Sequence, residues 1–267
     1  MTVVRTPPPL PVRDKTAARE QSGSGVSPML TRLAAERATG VLMRECGTLH
    51  LSEGQVVHAE SPLAPGLDVL LTARGTLDPA QWWSAVQRAG DPVGAVRLLF
   101  EGGSLAPGTL ELIHLGALFD AAYFALAPSS TPGRFRYGSP PAQAPLRTVP
   151  VATVERETLR RRTLLHSIWP DATSDGLPLS RAERGAAPPL TARQRAVLDR
   201  VDGSRTAPDI ARELGRRTFP TLMDVRRLVA AGVVAPGARP PAALAPAEVN
   251  DPDITLLKRL RDALEAL

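Results

Sequence analysis

Little in this chain can do redox or metal chemistry. Cys46 is its single cysteine, which excludes an internal disulfide and a thiolate metal cluster. Aromatic residues make up only 4% of the sequence, so its cores must be built from Leu, Val and Ala. Lysine is nearly missing: of 32 basic residues all but Lys15 and Lys258 are Arg. No apolar run reaches the roughly 18 residues that a membrane span requires. Proline and arginine stand where a secretory h-region would lie, so a cytoplasmic protein without membrane contact is expected. There is neither a P-loop nor a GxGxxG after a strand. No Ser or Cys nucleophile has a recognisable base, and Ser24, between two glycines, lacks the strand and helix of a nucleophile elbow. The sequence reads as non-enzymatic, without a cofactor.

What is present is a chain of 267 residues, 43% hydrophobic, with 27 prolines. That allows one large domain or two small ones joined by linkers. The net charge of +5 is unevenly placed. Residues 27–140 carry 8 basic against 10 acidic groups, residues 177–240 carry 12 against 6, and residues 241–267 carry 3 against 5. The basic excess therefore belongs to one C-terminal module, where it marks either nucleic-acid contact or a solvated face.

The most informative stretch runs from Thr39 to Pro62. Three short apolar runs, Val41–Met43, Leu49–Leu51 and Val56–Ala59, are separated by Glu45-Cys46-Gly47 and Ser52-Glu53-Gly54-Gln55. This is the pattern of a three-stranded antiparallel meander. A tight turn at Glu53-Gly54 pairs Leu51 with Val56 and Leu49 with His58. Leu42, Leu49, Leu51, Val56 and His58 then share one face. In that register His50 and His58 project from opposite faces. His114 sits in an apolar helix, and His166 on another helix. No convergent ligand set for a metal is expected.

The Thr-Gly-Val-Leu opening at Thr39, the hairpin ending Glu53-Gly54-Gln55-Val56-Val57-His58-Ala59 and the subsequent Gly66–Leu71 resemble the PATAN-type domain of bacterial regulators. The resemblance covers roughly residues 27–138. It implies an interaction module with no catalytic residues to carry over. The Gly133-Arg134-Phe135-Arg136-Tyr137 run is similar to the one that ends that domain.

Around the meander, Ser27-Pro28 caps a first helix. Helices are predicted over Leu67–Arg74, from Asp78-Pro79 to Gly90 and from Asp91-Pro92 to Gly102. Leu110–Leu126 is apolar nearly all round and reads as a buried central helix. Residues 133–137 alternate as a fourth strand. Residues 1–26 read as a disordered tail, and 139–177 as a linker with a helix over 151–169. On that helix Arg160-Arg161-Arg162 is expected to face solvent, with phosphate contact as the alternative that the neighbouring Glu155 and Glu157 disfavour. Residues 178–237 hold three helices, capped at Thr191, at Thr206 and by Thr218-Phe219-Pro220, with a β-run at Val233-Val234, a pattern similar to winged helix-turn-helix modules. Residues 238–250 are linker. In 251–267, Leu257, Leu260, Leu264 and Leu267 form a stripe too short to stand alone. It is expected to dock on its own protein, on a protein partner or on a second chain as a homodimer.

The expected fold class is therefore α+β: a small antiparallel sheet with a helical cluster, an all-α winged helix and a C-terminal helix. The expected function is a bacterial transcription-associated regulator whose first domain binds a protein of a signalling system. Its winged helix would contact double-stranded DNA through Arg205, Arg216, Arg217, Thr221 and Arg227. Thr221, Asp224, Arg227 and Ala231 would form the outer face of the third helix. The alternative is a signalling adaptor whose winged helix binds protein. Asp224 and the lack of a returning strand after Val234 favour it.

Overall fold

The computed structural model describes residues 27–90, 92–138, 147–182 and 189–237. The N-terminal tail, the helix cap expected at Asp91, the 238–250 linker and the leucine stripe Leu257, Leu260, Leu264 and Leu267 lie outside the described residues.

A sheet and one apolar helix set the architecture. Strands β1 (Gly40–Arg44), β2 (Gly47–Ser52) and β3 (Gln55–Glu60) form the meander. β4 (Arg134–Tyr137) pairs with β1, and β5 (Val149–Pro150) pairs with β3, giving a five-stranded antiparallel sheet in the order β4-β1-β2-β3-β5. The fifth strand comes from the stretch expected to be linker. At the β2–β3 turn Glu53 and Gly54 both have positive φ, of 49° and 77°, as a two-residue hairpin turn of matching twist requires. The Gly54 amide donates to Ala38 O, and a Cβ there would lie 2.5 Å from Ala34 O.

The expected register fails by one residue. Leu51 does pair with Val56, but a bulge lies next to that pair, so His50 pairs with His58 and Leu49 with Ala59. A bulge sets two residues opposite one and re-aims the side chains beyond it. The buried face is therefore Leu42, Leu49, Leu51, Val56 and Ala59, with Ala59 in the place expected for His58.

Helix α1 (Pro28–Ala35) precedes the sheet, capped by Ser27, whose own amide donates to Glu155. After it come α2 (Leu67–Thr72), α3 (Pro79–Ala89) and α4 (Pro92–Glu101). Helix α5 (Pro107–Ala125) is apolar on all sides because it separates two cores. Leu110 and Ala117 pack with α2–α4, while Leu118, Ala121, Ala122 and Ala125 pack with the sheet.

Next are α6 (Val151–Ile168), the short α7 (Thr173–Gly176), β6 (Leu179–Arg181), α8 (Ala192–Leu198), α9 (Ala207–Glu213), α10 (Thr218–Ala230) and β7 (Val234–Pro236). Capping boxes at Thr191/Gln194 and Thr206/Asp209 start α8 and α9. β7 does have a partner, but it is upstream: Leu179–Arg181 pairs antiparallel with it. Ile210, Leu222, Val225 and Leu228 of this region belong to the same hydrophobic cluster as Leu42, Leu49 and Leu51 of the sheet. Among the described residues, no helix is long and apolar enough to cross a membrane.

Candidate arginine-lined groove

Helix α10 is enclosed rather than presented. Phe219, Leu222, Val225, Leu228 and Val229 are buried, and so are Thr221, Asp224 and Arg226. The outer face expected at Thr221 and Asp224 therefore points inward. Thr221 Oγ1 donates to Arg217 O at 3.1 Å, and Asp224 accepts from Arg193 at 3.0 Å. Arg226 forks onto Asp175 and reaches Trp169 O. Only Arg227 and the last residues of that face stay exposed.

A buried ion pair anchors α10 to the central helix. Asp120 on α5 is 1% exposed; it accepts from Arg161 Nη1 at 2.7 Å and from the Phe219 amide at 3.0 Å. Arg161 is 4% exposed, donates also to Glu157, and lies over the Phe219 and Phe119 rings, 4.5 and 5.8 Å from their centroids. Burial pushes the Asp120 carboxyl up, opposed by Arg161 and the Phe219 amide. Glu157 is held down, to about 2, chiefly by its bond from Arg160 and then by Arg161.

Above this anchor lies an open groove of about 690 Å³ where α5, α6 and α10 meet. Leu112, Leu115, Gly116 and Phe119 come from one face of α5, at helical spacing. Arg156 and Arg160 stand one turn apart on α6. Met223, Arg217 and Arg227 come from α10 and its cap, and Arg193 from α8. With Arg161 there are six arginines, against Glu157 in the lining and Asp120 and Asp224 behind it. Gly116 is where the Arg217 side chain crosses α5: a Cβ there would sit 2.7 Å from Arg217 Cδ. No family model matches this chain, nor does any curated protein or solved structure.

Of the residues read from sequence as DNA contacts, Arg217 and Arg227 are brought together in the groove. Arg205 is tied to Asp202 and Glu213, and Arg216 has a buried Nη1 with no hydrogen-bond partner. Sequence reasoning misses Arg156, Arg160 and Arg193 as groove residues; the four-residue spacing of Arg156 and Arg160 is the signal that could find two of them. The triple-arginine run does not all face water. Successive residues are about 100° apart on a helix: Arg160 is exposed, Arg161 is buried and Arg162 donates to Leu126 O.

The bulge also overturns the expected separation of the histidines. His50 and His58 rings are 5.5 Å apart, and His58 stacks on His114 at 6.1 Å. His58 Nε2 lies 3.1 Å from Glu60 Oε1. Among the described residues, no three His, Cys, Asp or Glu are grouped to hold a metal.

Proposed function

We propose that this chain is a non-enzymatic regulatory adaptor that docks an anionic protein partner in the groove of α5, α6 and α10. The observation that carries the reading is the burial of α10 on nearly every face. A recognition helix must lay its outer side chains into a major groove about 12 Å wide, and here two of those four positions, Thr221 and Asp224, lie inside while Arg227 and Ala231 stay exposed. Three arginines of the basic module, Arg193, Arg217 and Arg227, join three from α6 in lining a groove with an apolar floor. This agrees with the interaction-module role that the PATAN resemblance implies for the first half.

The competing reading, a DNA-contacting regulator, draws on the exposed Arg217 and Arg227. Salt titration of binding to random-sequence duplex DNA separates the two. A phosphate-contacting protein loses affinity steeply with salt, and replacing Arg216, Arg217 and Arg227 by Ala would flatten the slope by about two to three units. The adaptor reading expects no such binding even at low salt. Steep, arginine-dependent DNA binding would replace it.

A further inference from the structure

We infer that the groove's ligand is an acidic amphipathic helix of a partner protein, an assignment that rests on the adaptor reading. Two features of the groove combine. The first is apolar surface where charge alone would not place it. Leu112 is 73% exposed, and Leu115, Phe119 and Met223 are only partly buried along the same groove. An apolar strip flanked by charged side chains is the surface that receives the apolar face of a helix, read as i, i+3, i+4 and i+7 anchors.

The second feature is arginine on both walls. Arg156 and Arg160, one helical turn apart, stand about 6 Å from each other on α6. Arg193 and Arg227 face them from the other side and share the single carboxylate of Asp224. The Arg156 side chain makes no hydrogen bond or ion pair among the described residues, and neither does that of Arg217, whose charge acts on Asp120 only at a distance. Six guanidinium groups against three carboxylates leave the groove short of negative charge. Acidic residues spaced four apart on each flank of a leucine stripe would meet both walls at once, with forked charge-assisted bonds.

A small phosphorylated ligand fits less well. The N-terminus of α10 is the natural phosphate seat, but Asp120 already accepts its Phe219 amide. Such a ligand would also leave Leu112 uncovered.

The test is selection of peptides of about 16 residues, long enough for four helical turns, from a random display library on the full chain. Peptides carrying Asp or Glu four residues apart beside Leu, Met or Phe at three- and four-residue spacing are expected. Their affinity should fall at least about tenfold on Arg156→Glu, which turns an attractive rim charge into a repulsive one, and recover with Arg156→Lys. Arg156 is exposed and unpaired among the described residues, so an unchanged melting temperature separates loss of docking from loss of folding. A second variant, Gly116→Leu, fills the floor where the Arg217 side chain crosses α5 and should abolish binding with Arg156 in place and the melting temperature unchanged.

Selected peptides that are acidic but lack apolar periodicity, or that bind Gly116→Leu equally, overturn the amphipathic assignment and leave the adaptor reading standing. Selected peptides without acidic residues, or no selected peptide at all, also overturn it. Arginine-dependent binding of duplex DNA in place of peptide overturns the adaptor reading itself.

Discussion

His114 has no exposed surface and neither ring nitrogen has a hydrogen-bond partner. Burial lowers its pKa from 6.5 to about 4, helped by the neighbouring His58, while the nearby Val57 backbone pulls the other way. His50 is lowered by the same causes, burial first, with the Glu60 carboxylate pulling the other way. A depressed histidine binds fewer protons in the folded state than in the unfolded one. Its contribution is complete above pH 6.5 and is lost as the pH falls toward 4, by about 3 kcal/mol over that window. Glu157, held near 2, acts in the same direction at lower pH; Asp120, pushed up, acts in the opposite one. Urea denaturation at about pH 7 and again near pH 4.5, either side of the histidine range, should therefore show the protein markedly weaker in acid. His114→Leu should remove most of the difference and raise stability at neutral pH, because two unsatisfied nitrogens leave the core. An unchanged pH profile in that variant would refute the assignment.

At the scale of elements, α10 is held by a carboxylate that it does not itself contain. Asp120→Ala removes the acceptor of the Phe219 amide and leaves Arg161 buried with only Glu157. Breaking a buried pair on one side costs about 3 kcal/mol or more, and thermal melting should record a clear drop. A double cycle with Arg161→Met should recover part of it, since removing both charges is far less costly. These contacts join residues 41 and 99 positions apart, and no local pattern carries them. What is legible in the sequence is local: the meander with its turn at Glu53-Gly54, the caps at Ser27, Asp78, Thr191 and Thr206, and the all-apolar helix around Leu118. Each of these is a matter of spacing and turn chemistry within a few residues. The bulge at His50/Leu51 is hidden, because one extra residue leaves the apolar alternation almost unchanged while exchanging Ala59 for His58. The inward turn of Arg161 is hidden for a similar reason: its partner lies on another helix.

Over the whole of the described residues, the sheet and helices α8–α10 share one core, so the groove is walled by elements from both halves of the sequence. The docking proposed at the groove would therefore draw on the same helices as packing of the core, α5, α6 and α10. The sheet has two ends, and both are blunted. On one side β5 ends at Pro150, which has no amide to offer a further strand. On the other, β4 pairs only with β1 among the described residues, and its exposed Arg134 and Arg136 punctuate the free edge. Charges on an edge strand discourage another sheet from adding to it. These two arginines thus act as gatekeepers for colloidal behaviour: their side chains reach into solvent, so their loss would take little from the fold itself. With Arg134→Thr and Arg136→Val the strand would read Thr-Phe-Val-Tyr, a β-prone segment with no charge. Static light scattering at roughly tens of micromolar should then show mass growing with time where the parent chain stays constant, with the melting temperature of the fresh protein unaltered.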